Sequence, residues 1–62
     1  MSVRDQILAR DGGACQIGGP GCTRVATQVD HIVPLIVGGT DDPLNLQAAC
    51  QTCNRRKEIT WN

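Results

Sequence analysis

VDHIVPLIVGG, residues 29–39, places the chain's one histidine directly after an aspartate at the end of an apolar, β-branched run. A run rich in Val, Ile and Thr that alternates along its length predicts a strand, here over residues 25–33 and ending at Pro34. Asp30 and His31 fall at the end of that strand. Neighbouring side chains on a strand point to opposite faces, so this pair serves one site only if the strand stops or twists there. Pro34 and the glycines behind it supply the stop.

Working outward, TDDP after the Gly38-Gly39 pair is dense in turn residues, and LNLQAAC predicts a short returning strand, giving a hairpin with a long connection. QTCNRRKEIT is polar, charged and built of good helix formers, so a helix is expected over residues 51–60. On the N-terminal side, Ser2 with Asp5 three residues later reads as a capping box, and Val3, Ile7 and Leu8 share one face at helical spacing. That helix should stop at Gly12 and Gly13. ACQIGGPGCTR is punctuated by Gly18, Gly19, Pro20 and Gly21, which puts Cys15 and Cys22 on a tight loop. The order is helix, knuckle, strand, loop, strand, helix: a small α+β fold, read as one domain over residues 1–62.

A chain of 62 residues buries too little apolar surface to be stable on hydrophobicity alone. Trp61 is its single aromatic residue, expected to pack on a core of Val, Ile, Leu and Ala. Such a core calls for a staple. Formal net charge is zero, which argues against a protein that coats nucleic acid by charge alone. The cations are nonetheless grouped, with Arg55, Arg56 and Lys57 consecutive. MSVRDQILARDGG has no apolar core of a secretory leader, and IVPLIV is far shorter than a membrane span, so a soluble, cytoplasmic protein with reduced thiols is expected.

Cys15 and Cys22, and then Cys50 and Cys53, form two pairs that bracket the hairpin. A tetrahedral zinc site needs such an arrangement, each pair delivering two thiolates at about 2.3 Å from the metal. Two disulfides or four free thiols are the alternatives, and the absence of a secretory signal favours zinc. A structural zinc contributes about 10 to 16 kcal/mol of apparent binding energy to a fold that lacks a core. Four thiolates leave no open position, so this metal should hold the fold and do no chemistry.

A second metal is suggested by oxygen ligands. The Asp30 carboxylate and the Asn54 amide oxygen suit a hard divalent cation, and His31 beside it could take a proton from water. With Asn45 closing the loop and basic residues following Asn54, the set suits phosphodiester hydrolysis.

VDHIVPL, then GG, then DDPLNLQAACQTCNRRK, resembles the HNH endonuclease family of the ββα-metal, or His-Me finger, fold, and is especially similar to its small zinc-stapled phage and bacterial members. The resemblance runs from Arg10 to Lys57. It implies that His31 is the general base that activates water and that Asn45 braces the loop so that this histidine is held in orientation. It further implies that Asn54, in the place of the final histidine, shares a catalytic cation with Asp30. The motif here is His-Asn-Asn, and amide and carboxylate oxygens favour Mg²⁺ or Mn²⁺. The implied activity is nicking or cutting of DNA to 5′-phosphate and 3′-hydroxyl ends, with Arg55, Arg56 or Lys57 on phosphates. A phage terminase or packaging protein is the implied partner. The rival is a zinc-stapled module that binds nucleic acid or protein without cleaving. Glu58 lies on the helix face of Asn54 and carries no assignment.

Overall fold

Ser2 Oγ accepts the Asp5 N–H at 3.1 Å and so starts helix α1 (Val3–Arg10) at the expected cap. A computed structural model describes residues 2–60 of the chain, with side chains described through residue 57. The helix ends at Asp11, and Gly12 (φ 66°) and Gly13 (φ 68°) carry the chain away in the left-handed region that a Cβ disfavours. Of the expected apolar face, Ile7 is buried and Leu8 half-buried, whereas Val3 is exposed.

Strands β1 (Gln28–His31) and β2 (Leu46–Ala49) pair antiparallel, with Gln28 opposite Ala49, Val29 opposite Ala48, Asp30 opposite Gln47 and His31 opposite Leu46. The first strand is shorter than the sequence predicts at both ends. Val25 forms an isolated bridge with Ala14 instead of joining the hairpin. Beyond His31, the Ile32 N–H still reaches the Asn45 carbonyl at 2.8 Å, but the Val33 N–H goes to the Asn45 side chain at 2.9 Å, and a backbone donor captured by a side chain ends the ladder.

Two short 3-10 turns that the sequence reading did not anticipate, Leu35–Val37 and Pro43–Asn45, shape the connection between the strands. Gly38 (φ 97°) closes the first. Gly39 then passes so near residues 33 and 34 that a Cβ on it would lie 1.7 Å from the Val33 carbonyl oxygen. Ile36 is 93% exposed and Leu44 89%, so the most apolar stretch of the chain lies outside the core.

The core is Ile7, Ala26, Leu46 and Ala48, with Leu8 and Val29 packed against it. Because opposed residues share a sheet face, Val29, His31, Leu46 and Ala48 belong to the face that α1 covers. Gln28, Asp30, Gln47 and Ala49 belong to the other, which receives α2 (Gln51–Thr60), the helix expected over residues 51–60. The end of α1 is clamped to β2 by polar bonds. Asp11 accepts the Ala48 N–H at 2.9 Å, while Arg10 donates to the carbonyls of Leu46 at 2.7 Å and Pro43 at 2.9 Å. The Arg10 guanidinium, followed by the Ala48 N–H, holds the Asp11 carboxyl below the usual carboxylate range. Trp61 lies outside the described residues. Among those residues no helix is long and apolar enough to cross a membrane.

Candidate active site and metal centre

Two glycine-bearing turns bring Cys15 and Cys22 to the start of α2, where Cys50 and Cys53 wait, buried. All four Sγ atoms lie within 4.8 Å of one another, and Cys22 and Cys50 are 4.0 Å apart. Tetrahedral ligation at about 2.3 Å places sulfurs roughly 3.8 Å apart, so the cluster fits a zinc ion with small adjustments. Disulfides are not formed: all four cysteines are free.

Backbone amides are turned onto the sulfurs. Arg24 N–H reaches Cys22 Sγ and Cys53 N–H reaches Cys50 Sγ, each at 3.3 Å. Arg24 takes a left-handed φ of 69° in doing so, and its carbonyl accepts the Cys15 N–H at 2.9 Å. The N–H groups of Cys53 and Thr23 draw the Cys50 thiol down to about 6, whereas burial pushes Cys53 up to about 12. Hydrogen bonds to the charged form lower a thiol's pKa and burial raises it. The amide N–H groups thus favour the charged form of Cys50 and burial the neutral form of Cys53, and a metal ion bound by all four sulfurs would displace their protons.

A second set of polar residues lies between β1 and α2. Gln28 and Asp30, two apart on the strand, share its α2 face, while Asn54 and Lys57, three apart on the helix, are neighbours on its surface. They meet as two rungs. Asn54 Nδ2 donates to Gln28 Oε1 at 2.8 Å, and Lys57 Nζ donates to Asp30 Oδ2 at 2.6 Å. Asp30 is buried, 7% exposed, and the same Oδ2 also accepts the Gln47 Nε2–H from across the hairpin at 2.8 Å. Lys57 Nζ reaches two further oxygens, the carbonyls of His31 at 2.7 Å and Ile32 at 3.0 Å. Buried charge is tolerated only when paired and hydrogen-bonded, and Asp30 is both. Among the described residues, Asp30 Oδ1 and Asn54 Oδ1 accept no hydrogen bond. Their donor chemistry, a carboxylate and a carboxamide oxygen, fits a hard divalent cation.

His31 lies on the other face of the strand, as alternation requires, and its ring turns outward at the strand's end. Nε2 is 2.7 Å from Asp41 Oδ1. No hydrogen bond joins the Asp30 and His31 side chains; Lys57 links the two residues through the carboxylate of one and the carbonyl of the other. Asn45 closes the connection. Its Oδ1 accepts from Val33 N–H, and its Nδ2 donates to the carbonyls of Val33 at 3.0 Å and Thr40 at 2.7 Å.

Arg55 and Arg56 are exposed on α2 and line a surface depression with Gln51 and Thr52. Lys57, grouped with them by the sequence, is instead half-buried with its ammonium on Asp30. The Glu58 side chain lies outside the described ones. Sequence reasoning missed Asp41, Gln28 and Gln47. Gln28 could have been found as the residue two before Asp30 on the same strand face. The other two depend on register and loop closure, which no local pattern displays.

A short antiparallel hairpin capped by a helix, with Asp-His on the first strand, Asn before the second and Asn on the helix, is the frame in which HNH nucleases carry their motif, and the HNH endonuclease family model matches residues 14–59. The chain belongs to the HNH endonuclease family. It is 44% identical over 57 residues to the Gene 4 protein of Mycobacterium phage L5. It is 40% identical over 57 residues to the Gene 4 protein of Mycobacterium phage D29. Each match takes in 92% of this chain and 55% of the relative, so the chain spans about half the length of the curated relatives it matches. No solved structure matches it.

Proposed function

We propose that the chain is a divalent-cation-dependent DNA endonuclease that hydrolyses phosphodiester bonds to 5′-phosphate and 3′-hydroxyl ends. The observation that carries this reading is the pair of rungs from β1 to α2: they set a buried carboxylate, Asp30, opposite the helix that bears Asn54, within a family match over residues 14–59. Asp30 and Asn54 would hold Mg²⁺ or Mn²⁺, and such an ion supplies charge neutralisation at the phosphate and at the departing oxygen. His31 is the general base, one-third exposed at the rim where solvent can reach it. It takes a proton from water, whose oxygen bonds to phosphorus as the bond to the 3′ oxygen breaks; that oxygen is protonated from solvent. Asn45 fixes the loop on which this geometry depends. Arg55 and Arg56 contact phosphates beside the site, and Lys57 completes the polar cage around Asp30. The four cysteines bind a structural zinc.

We assign the reaction to the cytoplasm of a bacterial or phage-infected host cell, a reading that similarity to phage proteins supports, with a terminase or another packaging protein as the partner that the family resemblance implies. One observation favours a second reading, a binding module without cleavage: Lys57 already neutralises Asp30. A plasmid-nicking assay with zinc-loaded protein decides between them. Cleavage in Mg²⁺ or Mn²⁺, abolished by chelator and reduced at least about 100-fold in His31→Ala, supports the nuclease. A wild-type protein that binds DNA and leaves it intact with either ion supports the module.

A further inference from the structure

We infer that Asp41 is the positioning residue of His31: its carboxylate fixes the ring's orientation and keeps the proton on Nε2, leaving Nδ1 as the nitrogen that can accept a proton. The inference rests on the nuclease reading for its catalytic meaning, though not for its geometry. An ionised carboxylate cannot donate a hydrogen bond. At 2.7 Å, therefore, His31 Nε2 carries the proton and Asp41 Oδ1 accepts it. The two residues are ten apart in sequence, and they meet because Asn45 gathers both sides of the loop. One of its bonds is to Val33, two residues after His31, and another is to Thr40, directly before Asp41. The bracing asparagine thus acts on the histidine through Asp41.

The neighbouring acid does different work. Asp42 Oδ1 accepts the Leu44 N–H at 2.8 Å and caps the second 3-10 turn, so the two members of the Asp-Asp pair are not interchangeable. Asp41 is 81% exposed and His31 31%, and an exposed ion pair adds little to stability. The contact is therefore explained by orientation rather than by holding the fold. A carboxylate on the far nitrogen of a catalytic imidazole selects the tautomer and stabilises the cation formed when the ring takes a proton. Around this ring the charged groups are Asp41 on its far nitrogen, Lys57 on its backbone carbonyl and Asp30 on the opposite strand face.

His31 is the chain's single histidine, so its ring can be observed without ambiguity. The test uses ¹⁵N-histidine-labelled, zinc-loaded protein and its Asp41→Ala, Asp41→Glu and Asp42→Asn variants. The expected wild-type spectrum shows one tautomer, protonated at Nε2, with a slowly exchanging, low-field Hε2 resonance. Asp41→Ala should lose that resonance and relax towards the tautomer mixture of free histidine. Asp41→Glu should recover part of the signal, and Asp42→Asn should keep all of it. In plasmid nicking, Asp41→Ala should lower kcat about 10- to 100-fold with KM little changed. A histidine spectrum that Asp41→Ala leaves unaltered overturns the inference, whatever the cleavage assay reports. Wild-type protein that shows the Nε2 signature yet cuts no DNA upholds the pair and overturns the nuclease reading instead.

Discussion

The two ends of this small protein are held together by different physics. At one end, Cys15, Cys22, Cys50 and Cys53 converge within 4.8 Å, and the amide N–H groups of Arg24 and Cys53 point at the sulfurs of Cys22 and Cys50. At the other, the connection of residues 32–45 exposes Ile36 and Leu44 almost fully, buries none of its own side chains and is gathered by a single asparagine. A metal cluster fixes four residues for one binding event, so it can replace a core. Hydrogen bonds at a surface contribute about 1 kcal/mol each, enough to choose a geometry but not to sustain a fold. The candidate site lies across the boundary: Asn54 follows directly on the last cysteine, His31 ends the strand from which the connection departs, and Asp41 belongs to the connection.

Breaking the cysteine end should have the largest effect. Cys53→Ser, or removal of zinc with a strong chelator, should abolish cooperative unfolding at 25 °C, read by circular dichroism. The energy removed, about 10 kcal/mol or more, rivals the whole stability of a small domain. Acid should act in the same direction. Cys50 is drawn down to about 6 from an ordinary 9.0, chiefly by the Cys53 N–H, and a group lowered in this way lends stability above its unfolded value and loses it as pH falls through its folded one. Zinc binding displaces the thiol protons, so metal retention, followed by elemental analysis after desalting, should decline as acid returns protons to the sulfurs. Zinc held unchanged at about pH 3 would contradict this account of the cluster.

A smaller and differently distributed effect is expected at the other end. Asn45→Ala deletes three hydrogen bonds and should cost about 2 to 3 kcal/mol in chemical denaturation. Zinc content should stay at one per chain, while cleavage falls by a larger factor than the stability loss explains. If Asn45→Ala sheds zinc, the two ends are one cooperative unit and the contrast between them fails.

Much of this layout is legible in the sequence because it is local. The cap at Ser2, the stop at Gly12-Gly13, the spacing of the cysteines and the helix after Cys50 each depend on a few neighbouring residues, and each appears where expected. The strand predicted over residues 25–33 exceeds the one formed, Gln28–His31, because β-branched residues favour extended backbone without specifying a pairing partner. Ala14 takes Val25, and Asn45 takes Val33. The apolar run IVPLIV resembles core by composition, yet the sharp turn at Gly38 and Gly39 keeps it at the surface. The site was readable as residue types, not as pairings. Lys57 looked like a phosphate ligand by its charge, and only the register of β1 against α2 reveals the Asp30 carboxylate and two carbonyls around its ammonium.

The central claim is that one divalent cation is held between Asp30 and Asn54, apart from the metal of the cysteines. It is tested most directly by titrating Mn²⁺ into ¹⁵N-labelled, zinc-loaded His31→Ala protein and following paramagnetic broadening of the amide signals. The account predicts that residues 30 and 54 broaden first, at well below one equivalent, and that Asp30→Asn abolishes the effect with the zinc still in place. Broadening that spares residues 30 and 54, or that survives Asp30→Asn unchanged, would contradict it.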